Sequence, residues 1–232
     1  VTSSVCSFVA AMSTIHRLWI RRDRLWADDG WAVFSMLALF LQVAAVFMHL
    51  SETISKLNRV AAYYLMAVAF YIIIWSARLS ILFSIMRLDQ VQSSRRRLLT
   101  WVAFLFMGVC VLLICQLFWV CELLSGWKDI SSPQCALNKQ VAISQLVSDL
   151  IADLILILTP LKILSELRNK QLRLRLMSIF STCIVTTMVS LIHAIYILNS
   201  GGIKVVIAAL VEDCMSLSVC NVPVVFTAIF KL

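Results

Sequence analysis

Seven long apolar runs dictate what this chain can fold into: residues 1–15, 31–50, 60–86, 99–124, 141–164, 176–198 and 203–230, separated by short polar segments that carry nearly all the charge. A bilayer core of ~30 Å is crossed by about 20 helical residues rising ~1.5 Å each, and most of these runs meet that length. Of the 232 residues 62 % are hydrophobic and 14 % charged, against roughly 45–50 % and about 25 % in soluble domains. The expected fold is all-α: a polytopic membrane protein, one seven-helix transmembrane bundle spanning residues 1–232. No internal repeat or long linker divides it. The first run ends at His16 and Arg17 and covers only ~22 Å as a helix, and the chain lacks an initiator Met and any cleavable signal pattern. A truncated first helix is therefore expected.

The formal net charge of +8 does not point to nucleic acid, because the basic residues sit between the apolar runs rather than on one solvated face. They act as topology signals. Arg17, Arg21, Arg22 and Arg24 fall in the first connection, Arg87, Arg95, Arg96 and Arg97 in the third, and Arg168, Lys170, Arg173 and Arg175 in the fifth. With Lys162 and Lys231 these make 14, against 5 in the even connections, Lys56, Arg59, Lys128, Lys139 and Lys204. Basic residues are retained in the cytosol, so the amino terminus is expected outside and the carboxyl terminus in the cytosol; the plasma membrane is the expected location, with an endomembrane as the alternative. Six cysteines, Cys6, Cys110, Cys115, Cys183, Cys214 and Cys220, lie in apolar runs and read as reduced packing residues. Cys121 and Cys135 instead bracket a polar outer loop containing Trp127 and Pro133. In an oxidising compartment they are expected to bond to each other, the alternative being two unrelated thiols.

Ionisable residues also fall deep inside the runs: Arg78, Asp149, Asp153, His193, Glu212 and Asp213. Charge in lipid is expensive and marks function. Helical rise puts Arg78 about 13 Å from Arg87 and Asp153 about 13 Å from Lys162, in one layer. Asp149 lies about 15 Å below Lys139, His193 about 12 Å below Gly201 and Glu212 about 12 Å below Lys204, all near the midplane. Asp149 and Asp153 share a helix face, while adjacent Glu212 and Asp213 diverge by roughly 100° and address different neighbours. Arg78 is expected to pair with Asp153, leaving Asp149 to a proton or ligand. Gln42, Gln116 and Gln145 lie at or above this depth and would line an outer-half cavity. One reading of the layer is interhelical glue. The other is a binding site, since four carboxylates face one certain cation and one titratable His.

Several stretches carry a family resemblance: Asp28, Asp29 and Trp31 before the second helix, WSARLSILFSIMRL at residues 75–88, Cys121, Trp127 and Cys135, SDLIADLILILTPL at residues 148–161, and VEDCMSLSVCNVPVV at residues 211–225. Together they resemble the fungal rhodopsin-domain family of seven-helix, receptor-like membrane proteins, which implies that fold and a receptor-like role. The residues themselves give Asp28 and Asp29 a capping role at a helix N-terminus, and make Pro160 and Pro223 breaks or kinks in the fifth and seventh helices. The seventh run holds no lysine between Lys204 and Lys231, so covalent retinal is not expected, nor any other cofactor. The third helix ends in Arg87, Leu88 and Asp89, unlike the acid-Arg-Tyr order of animal receptors, and Asn221 with Pro223 echoes their seventh-helix motif only loosely.

No enzyme is expected: His16, His49 and His193 lie too far apart to share a metal, and no phosphate loop or nucleophile elbow occurs. The leading functional expectation is a receptor for a small extracellular ligand, with its basic loops meeting a cytosolic signalling partner and the lipid bilayer around it. The alternatives are a proton- or cation-coupled transporter or channel, or a structural membrane protein. Tags inserted in the third and fifth connections should be protected in intact cells, and a tag at Ser131 should be accessible to antibody. The reverse labelling would overturn the orientation.

Overall fold

The computed structural model describes residues 2–51, 55–88, 93–124, 126–129, 133–135, 137–164, 170–199 and 203–229. Seven α-helices follow one another: α1 Thr2–Arg21, α2 Ala27–Leu50, α3 Lys56–Leu88, α4 Ser93–Leu123, α5 Lys139–Leu164, α6 Lys170–Asn199 and α7 Ile203–Ile229. A short 3₁₀ turn, Trp127–Asp129, lies between α4 and α5, and no strand occurs among the described residues. Each helix corresponds to one apolar run, and α1 to α6 extend into the polar flanks at one end or both. α1 continues six residues beyond the first run, to Arg21, because a helix needs good helix formers rather than apolar ones and Arg is among them. At 20 residues it is about 30 Å long. α5 passes through Pro160 to Leu164, and α7 likewise accommodates Pro223. Ser200, Gly201, Gly202, residues 165–169 of the fifth connection and Lys231 lie outside the described residues.

Sequential neighbours pack side by side, and α7 closes the ring on α1. The 33-residue α3 runs through the interior, touching α2, α4, α5 and α7. Its most apolar stretch is 78 % buried, against 22 % for α4. This makes α3 the axis of the bundle, and its polar residues the ones obliged to find internal partners.

The surface is that of a protein dissolved in lipid. Phe8, Trp19, Trp101 and Trp119 are 66–72 % exposed, while Arg17, Asp28, Gln42 and Asp213 are fully buried. That inversion of the soluble pattern is what an apolar solvent selects, because unpaired polar groups there cost several kcal/mol each. Among the described residues, α2, α3, α4, α5 and α7 contain spans long and apolar enough to cross a membrane, and α6 contributes the apolar stretch Cys183–Leu198. The protein is an integral membrane helical bundle.

Cys121, at the end of α4, is disulfide-bonded to Cys135. Trp127 is folded under the bridged loop, its Nε1–H donating to the Cys121 carbonyl at 2.9 Å, and its ring packs on Tyr63 and Tyr64 of α3 at 5.3 and 5.6 Å. The Tyr63 hydroxyl donates to the Cys135 carbonyl at 3.2 Å. The bridge thus pins the loop to the start of α3. The other six cysteines are free thiols. A loop of this size contributes roughly 3 kcal/mol on the chain-entropy model, so replacing Cys121 and Cys135 together by Ser should lower the unfolding midpoint by about 6–12 °C. Thermal unfolding with and without reductant checks this; an unchanged midpoint contradicts it.

Candidate functional site

Arg78, on α3, faces α5. Its Nη1 donates to Asp149 Oδ1 at 2.7 Å and its Nε to Asp153 Oδ1 at 3.1 Å. All three residues are at most 5 % exposed. Asp149 and Asp153 stand one turn apart on the same face of α5, so the rigid guanidinium fork bridges both. The expectation that Asp149 stays unpaired therefore differs from the structure: a planar donor array with five N–H groups has no reason to stop at one carboxylate. Asp153 Oδ2 also accepts from Thr187 at 2.8 Å and Thr186 at 3.4 Å on α6, and the guanidinium lies 5.3 Å from the centre of the Trp75 ring. Asp149 Oδ2 has no hydrogen-bond partner. A void of about 10 Å³ borders Arg78, Asp153, Cys183, Thr186 and Ser216, about the room for a single water.

Glu212 and Asp213 diverge on α7 and meet different helices. Glu212 accepts from His193 Nδ1 at 2.6 Å and from the Ser190 hydroxyl, both on α6. Asp213 Oδ2 accepts from Gln42 Nε2 on α2. Three polar atoms of this group, Gln42 Oε1, His193 Nε2 and Asp213 Oδ1, have no partner among the described residues. Gln42 and His193 line a cavity of about 70 Å³ together with Tyr63, Phe70, Tyr71 and Gln145. The cavity lies in the half of the bundle that holds the disulfide, where Leu137, Val205 and Val206 border it. Gln116 is elsewhere: half-buried between α4 and α5, it accepts from the Ser144 hydroxyl at 2.8 Å.

The charged cluster at the opposite, basic end is missing from the sequence-based site. Arg17 of α1 is fully buried. Its Nη2 donates to Asp28 Oδ2 at 2.8 Å and its Nε to Asp29 Oδ1 at 2.9 Å. Its Nη1 donates to the Cys220 carbonyl of α7 at 3.0 Å and to Asn221 Oδ1 at 3.4 Å. Arg21 binds both aspartates as well, and Arg87 of α3 approaches them at 3.6 and 3.8 Å. Ser84 donates to Asp28 Oδ2 at 2.8 Å, and Ser80 to the Asp28 carbonyl at 2.7 Å. Asn221 Nδ2 contacts Thr14 at 2.9 Å and Ser13 at 3.0 Å. Asp29 does cap α2, accepting from the Trp26 N–H at 3.2 Å, yet capping is the smaller part of what the two aspartates do. Arg17 and Arg21 are four residues apart, hence on one helical face, and an acidic pair follows a short turn later. That pattern was the available signal.

His16 is exposed on α1 beside Trp19, whereas His49 is buried at the far end of α2, with Nδ1 on the Arg59 carbonyl at 3.3 Å. Among the described residues no three His, Cys, Asp or Glu side chains gather as a metal site.

Removing one partner of a fully buried ion pair costs about 3–5 kcal/mol. Asp149→Asn and Asp153→Asn should each reduce the folded fraction recovered from membranes, and so should Arg78→Met. The triple change Arg78→Met, Asp149→Leu and Asp153→Leu should recover most of the loss, since no stranded charge remains. Size-exclusion profiles of the tagged protein measure this, and a triple variant no better than Arg78→Met would contradict the triad.

No curated protein and no solved structure matches the chain. The fungal rhodopsin domain matches residues 13–226, a span that contains the Arg78 triad, the Glu212 and Asp213 pairs, the disulfide and the basic-end cluster. A seven-helix bundle with these features, matched over nearly its whole length, belongs to the fungal rhodopsin domain family.

Proposed function

We propose that this protein is a receptor-like membrane protein of the plasma membrane, sensing a small extracellular ligand and signalling to a cytosolic partner at its basic end. One observation carries the reading: α7 joins a largely apolar cavity, edged by Gln42, Gln145 and His193, to the buried ionic cluster. Glu212 and Asp213 stand behind the cavity wall, and eight residues along from Glu212, about 12 Å at helical rise, the Cys220 carbonyl is gripped by Arg17. A ligand that draws Gln42 or His193 into new hydrogen bonds displaces α7 at one end, and the Arg17 cluster senses it at the other. Differential contacts of that kind are what a conformational response requires. Arg22, Arg24, Arg96 and Arg97 are exposed at the basic end, where an acidic cytosolic surface could dock.

A transporter reading draws on Asp149 Oδ2 and Asp213 Oδ1, acceptors without partners in the bundle interior, which suit a proton or cation relay. The two readings part in proteoliposomes. The receptor reading expects small molecules that raise the unfolding midpoint of the purified protein and no pH-driven flux. Flux driven by a pH gradient without any ligand would overturn it.

A further inference from the structure

Resting on the receptor reading, we infer that the cavity bounded by Gln42, His193 and Phe70 takes a small protonated amine. The evidence lies in what its walls leave unsatisfied. Gln42 has its amide NH₂ committed to Asp213, which leaves Oε1 as a bare acceptor. His193 has Nδ1 committed to Glu212, and its Nε2 has no partner among the described residues. Asp213, directly behind Gln42, has a third unpartnered oxygen. Buried polar atoms of native proteins are almost always paired, and what the Gln42 amide oxygen and the Asp213 carboxylate oxygen lack is a donor.

Charge points the same way. Among the described residues no lysine or arginine lines the cavity, while Glu212 and Asp213 lie one contact behind its wall. Arg78 is the cation of the interior on the described helices nearby, and Asp149 and Asp153 already hold it. A neutral donor such as an alcohol would satisfy one acceptor only. An ammonium group offers three donors and a positive charge. The remaining wall suits its substituent: Tyr63, Phe70 and Tyr71 present rings, and aromatic faces attract cations, while the Met66 and Ala67 side chains accept a short alkyl chain. Size narrows the class further. At about 70 Å³ the cavity is roughly half the ~150 Å³ that admits a benzene ring, so the fitting ligands are amines of about two to four heavy atoms.

The test uses the full chain, purified in lipid nanodiscs, with three probes of similar size and different charge: ethylammonium, 1-propanol and acetate, at matched ionic strength. Ethylammonium should raise the unfolding midpoint by about 3 °C near saturation, and the other two should leave it unchanged. Ala67→Leu, which fills the cavity without touching a hydrogen-bonded group, should abolish the shift while leaving the midpoint without probe near that of the parent. Gln42→Leu should weaken it at least tenfold in concentration. A larger shift with acetate or 1-propanol would overturn the amine assignment and leave the receptor reading standing. An ethylammonium shift that survives Ala67→Leu would place binding elsewhere and overturn it too. If none of the probes shifts the midpoint, the amine assignment fails, while the receptor reading fails only on ligand-independent flux.

Discussion

A guanidinium inside a bilayer cannot be neutralised by solvent, so the helices around Arg78 have to be placed by the need to surround it. Two carboxylates one turn apart on α5 supply the acceptors, Thr186 and Thr187 on α6 engage the carboxylate oxygen that Arg78 leaves over, and Trp75 stacks from the same helix. The register of α3 against α5 and α6 follows. Apolar packing alone would tolerate sliding, because Leu against Leu and Leu against a lipid tail are energetically close. A buried charge with fixed donors does not, since misplacing it strands the ion.

The basic end obeys the same rule on a larger scale. Arg17, fully enclosed, ties α1 to α2 through Asp28 and Asp29 and to α7 through the Cys220 carbonyl and Asn221, while Ser80 and Ser84 add α3. Three arginines and two aspartates share the site, so charge there is nearly balanced. On the disulfide side of the Arg78 triad the Glu212 and Asp213 pairs link α7 to α6 and α2. α7 thus touches polar partners along most of its length, and its interior proline removes one backbone hydrogen bond. A helix held by polar contacts at several heights can shift between discrete arrangements, which is the property a signalling element needs.

Helix number, the disulfide and the depth of the ionisable residues were legible in the sequence because each follows from one-dimensional spacing: run length, loop position and rise per residue. The divergence of Glu212 and Asp213 was legible for the same reason. Partner choice was not. Matching Arg78 to Asp153 by depth alone overlooks that a guanidinium has breadth, and Asp149 sits within its reach. Arg17 was read as a cytosolic signal because hydropathy falls where it occurs, although a helix continues through it into a buried acidic pair. Gln116 lies at a suitable depth but on a face of α4 turned to α5, and rotation about a helix axis is only weakly encoded when an apolar run is apolar all round.

The central claim is that charge is neutralised inside the bundle, with Arg78 shared by two carboxylates. Solid-state NMR in lipid bilayers measures it directly, through dipolar couplings between ¹⁵N-labelled arginine side chains and ¹³Cγ-labelled aspartate. The account predicts close Arg–Asp couplings of which one set disappears in Asp149→Asn and another in Asp153→Asn. A coupling pattern unaltered by Asp149→Asn would contradict it.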